Sequence, residues 1–323
     1  MRTIERVLAE EGFKKLPRRT QLKIGRTIKG AEVPQRSESI TLSQLDELRV
    51  ESAGAGVFLF APFIAQLHLD EVVKAANLPG NKSISAMNYF LSFLGFKLLG
   101  TERYAHVGEH GFDQGLGLFA GLNVLPKCTV LSTYSYSLDA SHLLRLQGAF
   151  KRKYPQPMVH VSTIELRGYE GELRQIIVRG NGHEKPAFLI TNDFETPVEL
   201  VVGNYARRWR VENGIAEAIK FFHLNALSSP ILTKIHFDVV ITMIADTLYS
   251  RLAQQLRGFE DCDAPKIFRN FVKGKGDIEV RGGNIKVTFS KRAHNPILRT
   301  VPWQNLPCEI PWLDGAKLTL KFN

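Results

Sequence analysis

The spacing of apolar residues changes from helical to strand-like along this chain, and only folds that contain both kinds of element can accommodate the change. Apolar residues recur at helical spacing in the segments 57–67, 70–76, 85–99 and 138–151. Residues 158–191 instead carry β-branched runs separated by glycines, which predicts strands and turns. Helical spacing returns over 198–222 and 231–256, and strand-like runs return from residue 277. The sequence therefore predicts a mixed, helix-rich α/β fold whose N-terminal half is helical.

Glycines and serines mark element ends in the helical half. Ser83 and Ser85 are both candidate N-caps for the third predicted helix. Several glycines follow that helix and predict a loop; they are Gly108, Gly111, Gly115, Gly117 and Gly121.

Charge indicates the class of partner. The 323 residues include 42 Lys and Arg against 32 Asp and Glu, a net charge of +10, which favours an anionic partner such as nucleic acid. Three widely separated cysteines suit neither a disulfide framework nor a metal finger. The first residues do not resemble a signal peptide, and the apolar runs are too short to span a bilayer. We therefore expect an intracellular protein without a membrane partner.

Residues 1–50 are polar and basic. Lys14, Lys15, Arg18 and Arg19 lie in a stretch with almost no acidic residues. Two interpretations stay open at this point. The stretch is either a solvated basic arm or an arm that contacts DNA phosphates.

The most informative segment is 204–227, NYARRWRVENGIAEAIKFFHLNAL. Tyr205, Arg208 and Glu212 share one face of a helix, because they stand at positions i, i+3 and i+7. An ordinary pair of opposite charges on a helix surface would give the same spacing for Arg208 and Glu212. The triplet alone therefore suggests a site without deciding its chemistry.

This segment resembles the Tyr-x2-Arg-x3-Glu signature of insertion-sequence DDE transposases, in which a lysine follows and completes the Tyr-Arg-Glu-Lys motif. Other segments of the sequence are similar to the same family, and these are GLGLFAGLNVLPK, STYSYSL, EKPAFLITNDF, FFHLNALSSP, KRAHNPIL and PWLDG. The resemblance therefore touches most of the chain.

The resemblance implies a ribonuclease-H-like core, in which two strand aspartates and one helix glutamate hold two Mg²⁺ ions for phosphodiester cleavage and strand transfer. Glu212 matches the catalytic, metal-binding glutamate. Arg208 would meet a phosphate, and Tyr205 would contact DNA near the cleaved bond. The family's lysine position holds Ile219, and Lys220 follows one residue later, where its long side chain is expected to compensate in part and to contact DNA.

The two family aspartates have no evident counterpart. Asp139 reads as a helix start, and Asp193 follows Asn192 in a turn. Between the helical half and residue 158, the sequence contains no apolar strand-like run that carries an aspartate. We therefore expect a truncated or internally deleted copy with an incomplete ribonuclease-H-like core.

Four segments follow from these patterns: a basic arm, a helical domain, a partial transposase core and a β-containing C-terminal segment, at 1–50, 51–155, 156–256 and 257–323. The expected partner is double-stranded DNA at the element ends, in the cytoplasm at the nucleoid, with Mg²⁺ as the family's cofactor. A homodimer and a mixed assembly with an intact transposase are both compatible with the sequence. The alternative functions are a non-catalytic DNA-binding protein, a transposition inhibitor of transposase origin, and an unrelated basic protein that binds RNA or DNA.

Overall fold

The computed structural model describes residues 36–42, 47–101, 110, 113–150, 158–179, 186–204, 219–224, 226 and 231–323. The chain divides into two compact units, residues 1–35 and residues 36–323. All of the described residues belong to the second unit.

Helices dominate the region before residue 150. They are α1 (Ala61–Gln66), α2 (Leu69–Ala75), α3 (Ala86–Leu98), α4 (Gln114–Phe119), α5 (Cys128–Tyr136) and α6 (Ala140–Ala149). A 3₁₀ helix, Ala55–Phe60, leads into α1. Further along the chain lie α7 (Leu232–Ala253), α8 (Ala264–Ile267), which continues as a π-helical turn over Phe268–Val272, and α9 (Asn295–Thr300). Two more 3₁₀ turns follow, Trp303–Asn305 and Pro311–Leu313.

The main core forms around α3 and α7. Nearly every residue of α3 is buried, as expected of a helix that is apolar on all sides. Phe93 of α3 meets Phe237 of α7 edge to face, with ring centroids 5.2 Å apart. Of the two predicted caps for α3, Ser85 is the N-cap, and its Oγ accepts a hydrogen bond from the Asn88 backbone at 3.2 Å.

The strands are β1 (Glu47–Ser52), β2 (Met158–Ile164), β3 (Leu173–Arg179), β4 (Ala187–Thr191), β5 (Gly276–Arg281), β6 (Asn284–Phe289), β7 (Glu309–Ile310) and β8 (Ala316–Phe322). They form two sheets, with orders β1-β5-β6-β8-β7 and β2-β3-β4. Only β6 and β8 pair in parallel among these strands.

The five-stranded sheet has one apolar and one charged face. Ile278, Val280, Ile285 and Val287 are buried in the main core. The opposite face carries ion pairs, including Lys286 Nζ to Glu279 Oε2 at 2.9 Å. This alternation is typical of an antiparallel sheet that is covered on one side.

The three-stranded sheet has a core of its own. Its register places Val161 opposite Ile176 and Ile176 opposite Leu189. Ile176 and Leu189 are buried with their neighbours under the helical residues 198–204. Strands and turns were predicted for residues 158–191, and the observed strands all run antiparallel.

The mixed, helix-rich α/β class predicted from the sequence is confirmed. The division at residues 50, 155 and 256 stays a prediction. Residues 47–50, from the predicted basic arm, belong to β1 and pair with β5. Among the residues described, no single helix is long and apolar enough to cross a membrane, although one bent pair, Ala55–Gln66 with Leu69–Ala75, reaches that length and composition together.

The glycine-rich stretch predicted as a loop instead contains α4. A Cβ on Gly117 would lie 2.8 Å from the Asn123 carbonyl oxygen, and one on Gly115 would collide with the Ser52 side chain. These glycines therefore allow α4 to approach its neighbours closely. The helical penalty of a glycine, about 1 kcal/mol, is offset by that packing.

Candidate active site

The predicted catalytic segment falls largely outside the described residues. Tyr205, Arg208 and Glu212 lie outside them, and so do the arm residues Lys14, Lys15, Arg18 and Arg19. Of the predicted DNA-contacting residues, Lys220 is described. The site is therefore built from the residues on either side of 205–218.

The residues that lead into the motif pack against the three-stranded sheet. Residues 198–204 are helical, and Val202 is buried with Ile176 and Val178 of β3. Val198 and Val201 pack against the same cluster. The sheet thus fixes the direction of the chain just before Tyr205.

The residues that follow the motif pass from solvent into the main core. Ile219 and Lys220 are helical and exposed, whereas Phe221 and Phe222 are buried. The Lys220 ammonium is therefore open to solvent at the point where the chain enters the core. A lysine in this position can meet a phosphate without first breaking a buried contact.

A buried lysine holds the chain immediately after the motif. Lys97 Nζ, on α3, donates to the Phe222 carbonyl oxygen at 2.8 Å. The same nitrogen lies 3.0 Å from Asp238 Oδ1 on α7. The Lys97 and Asp238 side chains are 7% and 15% exposed, so little water competes for these bonds. One ammonium therefore joins α3, α7 and the end of the candidate catalytic segment.

Aromatic rings complete this anchor. The Phe221 ring lies 5.4 Å from Tyr249 and 5.2 Å from Phe268, centroid to centroid. The buried Tyr249 hydroxyl donates to the Leu98 carbonyl, and burial raises the Tyr249 pKa well above its ordinary value. Gly100 adopts a left-handed φ of +64°, and a Cβ there would lie 2.9 Å from the Phe221 ring. The position of Phe221 is thus determined from several sides.

Asp139 is the N-cap of α6, as its sequence context predicts. Its Oδ1 accepts from the Ser141 hydroxyl at 2.7 Å and from the His142 backbone at 3.0 Å. The His142 ring accepts in return from the Asp139 backbone, which completes a capping box. The hydrogen bond from Ser141, with that from His142, lowers the Asp139 pKa to about 2.

The lowered pKa of Asp139 predicts how acid acts on α6. The ionised cap stabilises the fold fully above pH 3.8, the ordinary value, and this contribution is lost as the pH falls towards 2. Asn caps a helix about as well as Asp but does not titrate. We expect the wild type to lose more stability than Asp139→Asn between these pH values, measured by urea unfolding. Parallel pH profiles of the two proteins would contradict this.

Asp193 organises a turn, as predicted. Its Oδ1 accepts from the backbone nitrogens of Glu195 at 3.0 Å and Thr196 at 2.8 Å. Hydrogen bonding from Thr196 lowers the pKa of Asp193. Arg174 Nη1 donates to the Thr196 carbonyl at 2.8 Å and ties the turn to β3. Asp193 Oδ1 therefore already accepts two hydrogen bonds from backbone nitrogens of the turn.

The described carboxylates are spread over separate local structures. Within the described ranges, no group of three or more His, Cys, Asp or Glu side chains lies close enough to hold an ion. Asp139 and Asp193 each use an oxygen to cap local backbone, and the helix cap and the turn would have to reorganise to release them.

Lys97 and Asp238 are the site residues that the sequence interpretation missed. Lys97 interrupts an otherwise apolar helix, NYFLSFLGFKLL, and Asp238 similarly interrupts IHFDVVITMI. A charged residue within a helix that is apolar on all sides is buried only with a partner. That rule was the available signal for the pair.

Comparison of the chain with protein-family models, with curated proteins and with solved structures finds no match.

Proposed function

We propose that this protein is a DNA-binding protein of DDE transposase descent whose catalytic carboxylate set is incomplete. The observation that carries the proposal is the segment around Tyr205, Arg208 and Glu212, together with its setting. The chain enters this segment from a three-stranded sheet and leaves it into a packed core. Flanking residues that are held in place on both sides support a segment with a defined function better than an ordinary surface segment.

Duplex DNA is the proposed partner because of where the positive charge lies. Arg207 and Arg210 accompany Arg208 within the motif, and Lys220 is exposed just beyond it. The basic arm adds the charges from Lys14 to Lys29. Cations arranged this way bind DNA by releasing condensed counterions from the phosphates.

Cleavage is not part of the proposed activity. Two-metal phosphodiester chemistry needs several carboxylates that share the ions, and a single carboxylate holds Mg²⁺ weakly because the ion keeps most of its waters. Glu212 is the carboxylate that the motif supplies. Asp139 and Asp193 cap local backbone instead. In the proposed role, Arg208 pairs with Glu212 and the surrounding cations bind phosphate.

Replacement of Glu212 by glutamine tests this role. If the carboxylate holds no metal, its removal takes away a negative charge near phosphate, so we expect duplex affinity to stay equal or to rise up to about threefold. Fluorescence anisotropy with a labelled duplex in Mg²⁺ measures the effect. Glu165→Gln, which removes an exposed carboxylate after β2, is the matched control. A tenfold or larger loss of affinity in Glu212→Gln alone would show that the carboxylate recruits metal for DNA binding.

A further inference from the structure

The outer edge of β2 is open. In the three-stranded sheet β2 pairs with β3 on one side, and on its other side it pairs with no strand among the described residues. Residues 158–161 of β2 are all exposed. The strand is seven residues long, so it offers a full set of backbone donors and acceptors for another strand.

The small apolar core of this sheet covers β3 but does not extend over β2. Val159 and Val161 share a face with Val178 and Ile176, as their register shows. Ile176 and Val178 are 0% and 2% exposed, whereas Val159 and Val161 are 40% and 42% exposed. One row of apolar side chains is therefore covered over β3 and left open over β2.

The edge lacks the features that keep strands apart. Between Met158 and Ile164 there is no Lys, Arg, Asp, Glu or Pro, and β-branched residues are frequent. Soluble proteins usually protect a free edge with charge, proline or a bulge. The other edge strand, β4, differs, because Ala187 and Leu189 are already buried on the corresponding face. An edge of this composition fits a partner strand.

We propose that β2 is a homodimer interface, at which β2 of a second copy pairs antiparallel about a two-fold axis through Val161. The register brings Val161 of the two copies side by side and joins the row Leu189, Ile176 and Val161 to the same row of the second copy. A two-fold interface has to be self-complementary in this way.

The remaining pairs of this register are also compatible. Met158 faces Ile164 of the second copy, and Val159 faces its Thr163. His160 faces Ser162 of the second copy. No like charges stand opposite each other, and apolar or β-branched pairs of this kind stabilise sheets. The interface uses neither the basic arm nor residues 205–218, so it is independent of the proposed DNA-binding function.

Sedimentation equilibrium of the full chain, over micromolar concentrations, tests the dimer. We expect a reversible dimer for the wild type and a mass that falls by half in Val161→Lys, because two lysines would stand directly opposite each other. Ile190→Lys is the matched control, since Ile190 is 48% exposed on β4 at the other edge of the sheet, and it should remain dimeric. A monomeric wild type, or a Val161→Lys protein that stays dimeric, overturns the proposal.

Cysteine crosslinking tests the register without depending on the lysine variant. Val161→Cys should form a disulfide-linked dimer on oxidation, because directly opposite residues lie within disulfide reach. Val159→Cys should not, since its counterpart lies four residues away along the partner strand, about 14 Å distant. The wild type, with its three native cysteines, sets the background. Equal crosslinking of both variants, or none above this background in Val161→Cys, overturns the register.

Discussion

Reversal of four charges in the basic arm is expected to weaken duplex DNA binding by close to 10⁴-fold at about 0.1 M salt, since each phosphate contact contributes close to a factor of ten there. The variant carries Glu at positions 14, 15, 18 and 19 in place of Lys14, Lys15, Arg18 and Arg19. The slope of log affinity against log salt should also decrease by about 4, because four counterions are no longer released. Fluorescence anisotropy at several salt concentrations measures both quantities.

The matched control reverses four exposed lysines elsewhere, and these are Lys82, Lys127, Lys317 and Lys321. Each reversal removes two units of charge, so both variants change the net charge from +10 to +2. If the arm contacts DNA directly, we expect a large loss of duplex affinity in the first variant and a much smaller loss in the second. Equal losses would mean that net charge alone drives binding, and an unchanged salt slope would remove the arm from the interface.

Replacement of Lys97 by methionine is expected to lower the free energy of unfolding by about 3–5 kcal/mol, the usual cost of breaking a buried ion pair. The change removes the bond to the Phe222 carbonyl and the ion pair with the Asp238 carboxylate, which is 15% exposed. Urea unfolding measures the loss. The same anchor holds the chain after the candidate catalytic segment, so Phe221 and Phe222 should become accessible first.

Lys286→Met is the control for Lys97→Met. Lys286 also pairs at short distance, 2.9 Å from Glu279, but the two side chains are 46% and 37% exposed. Exposed pairs contribute about 0–1 kcal/mol, so this variant should unfold almost like the wild type. If the two substitutions cost the same, burial of the Lys97 pair does not determine its contribution.

Local signals predicted much of the helical half. For α3, the apolar run and a serine cap led to 85–99, and the helix spans Ala86–Leu98. The same signals failed for α4, since Gly115 and Gly117 weaken a helix when considered in isolation. Gly115 is needed because α4 lies close to Ser52, which is distant in the sequence. Gly117 is needed because α4 lies close to Asn123, which follows the next turn. Packing of this kind is not visible in a local pattern.

The pairing of strands that are distant in the chain could not be predicted from the sequence either. The strand-like runs after residue 277 were predicted, but their partner β1 lies more than two hundred residues earlier. A local signal for β1 did exist, because Leu48, Val50 and Ser52 alternate with charged residues. The overall basic character of residues 1–50 obscured it. Alternation therefore needs to be examined even within a charged segment.

At the candidate site, the chemistry inferred from the sequence stays a prediction, and the side chains that hold the neighbouring chain in place were not foreseen. The spacing of Tyr205, Arg208 and Glu212 indicated a functional face, and the local contexts of Asp139 and Asp193 correctly predicted a helix start and a turn. The Lys97–Asp238 pair was missed because its partners come together only when α3 packs against α7. Each member nevertheless stands alone in a locally apolar stretch, NYFLSFLGFKLL for Lys97 and IHFDVVITMI for Asp238.

The most direct test of the proposed function is incubation of the purified full chain with supercoiled plasmid in Mg²⁺ or Mn²⁺, with binding and nicking followed in the same samples. We predict that the plasmid is bound at low salt, is released at high salt and stays supercoiled throughout. Metal-dependent nicked circles that disappear in Glu212→Gln would contradict an incomplete carboxylate set, and a plasmid that is never bound would contradict the DNA-binding function itself.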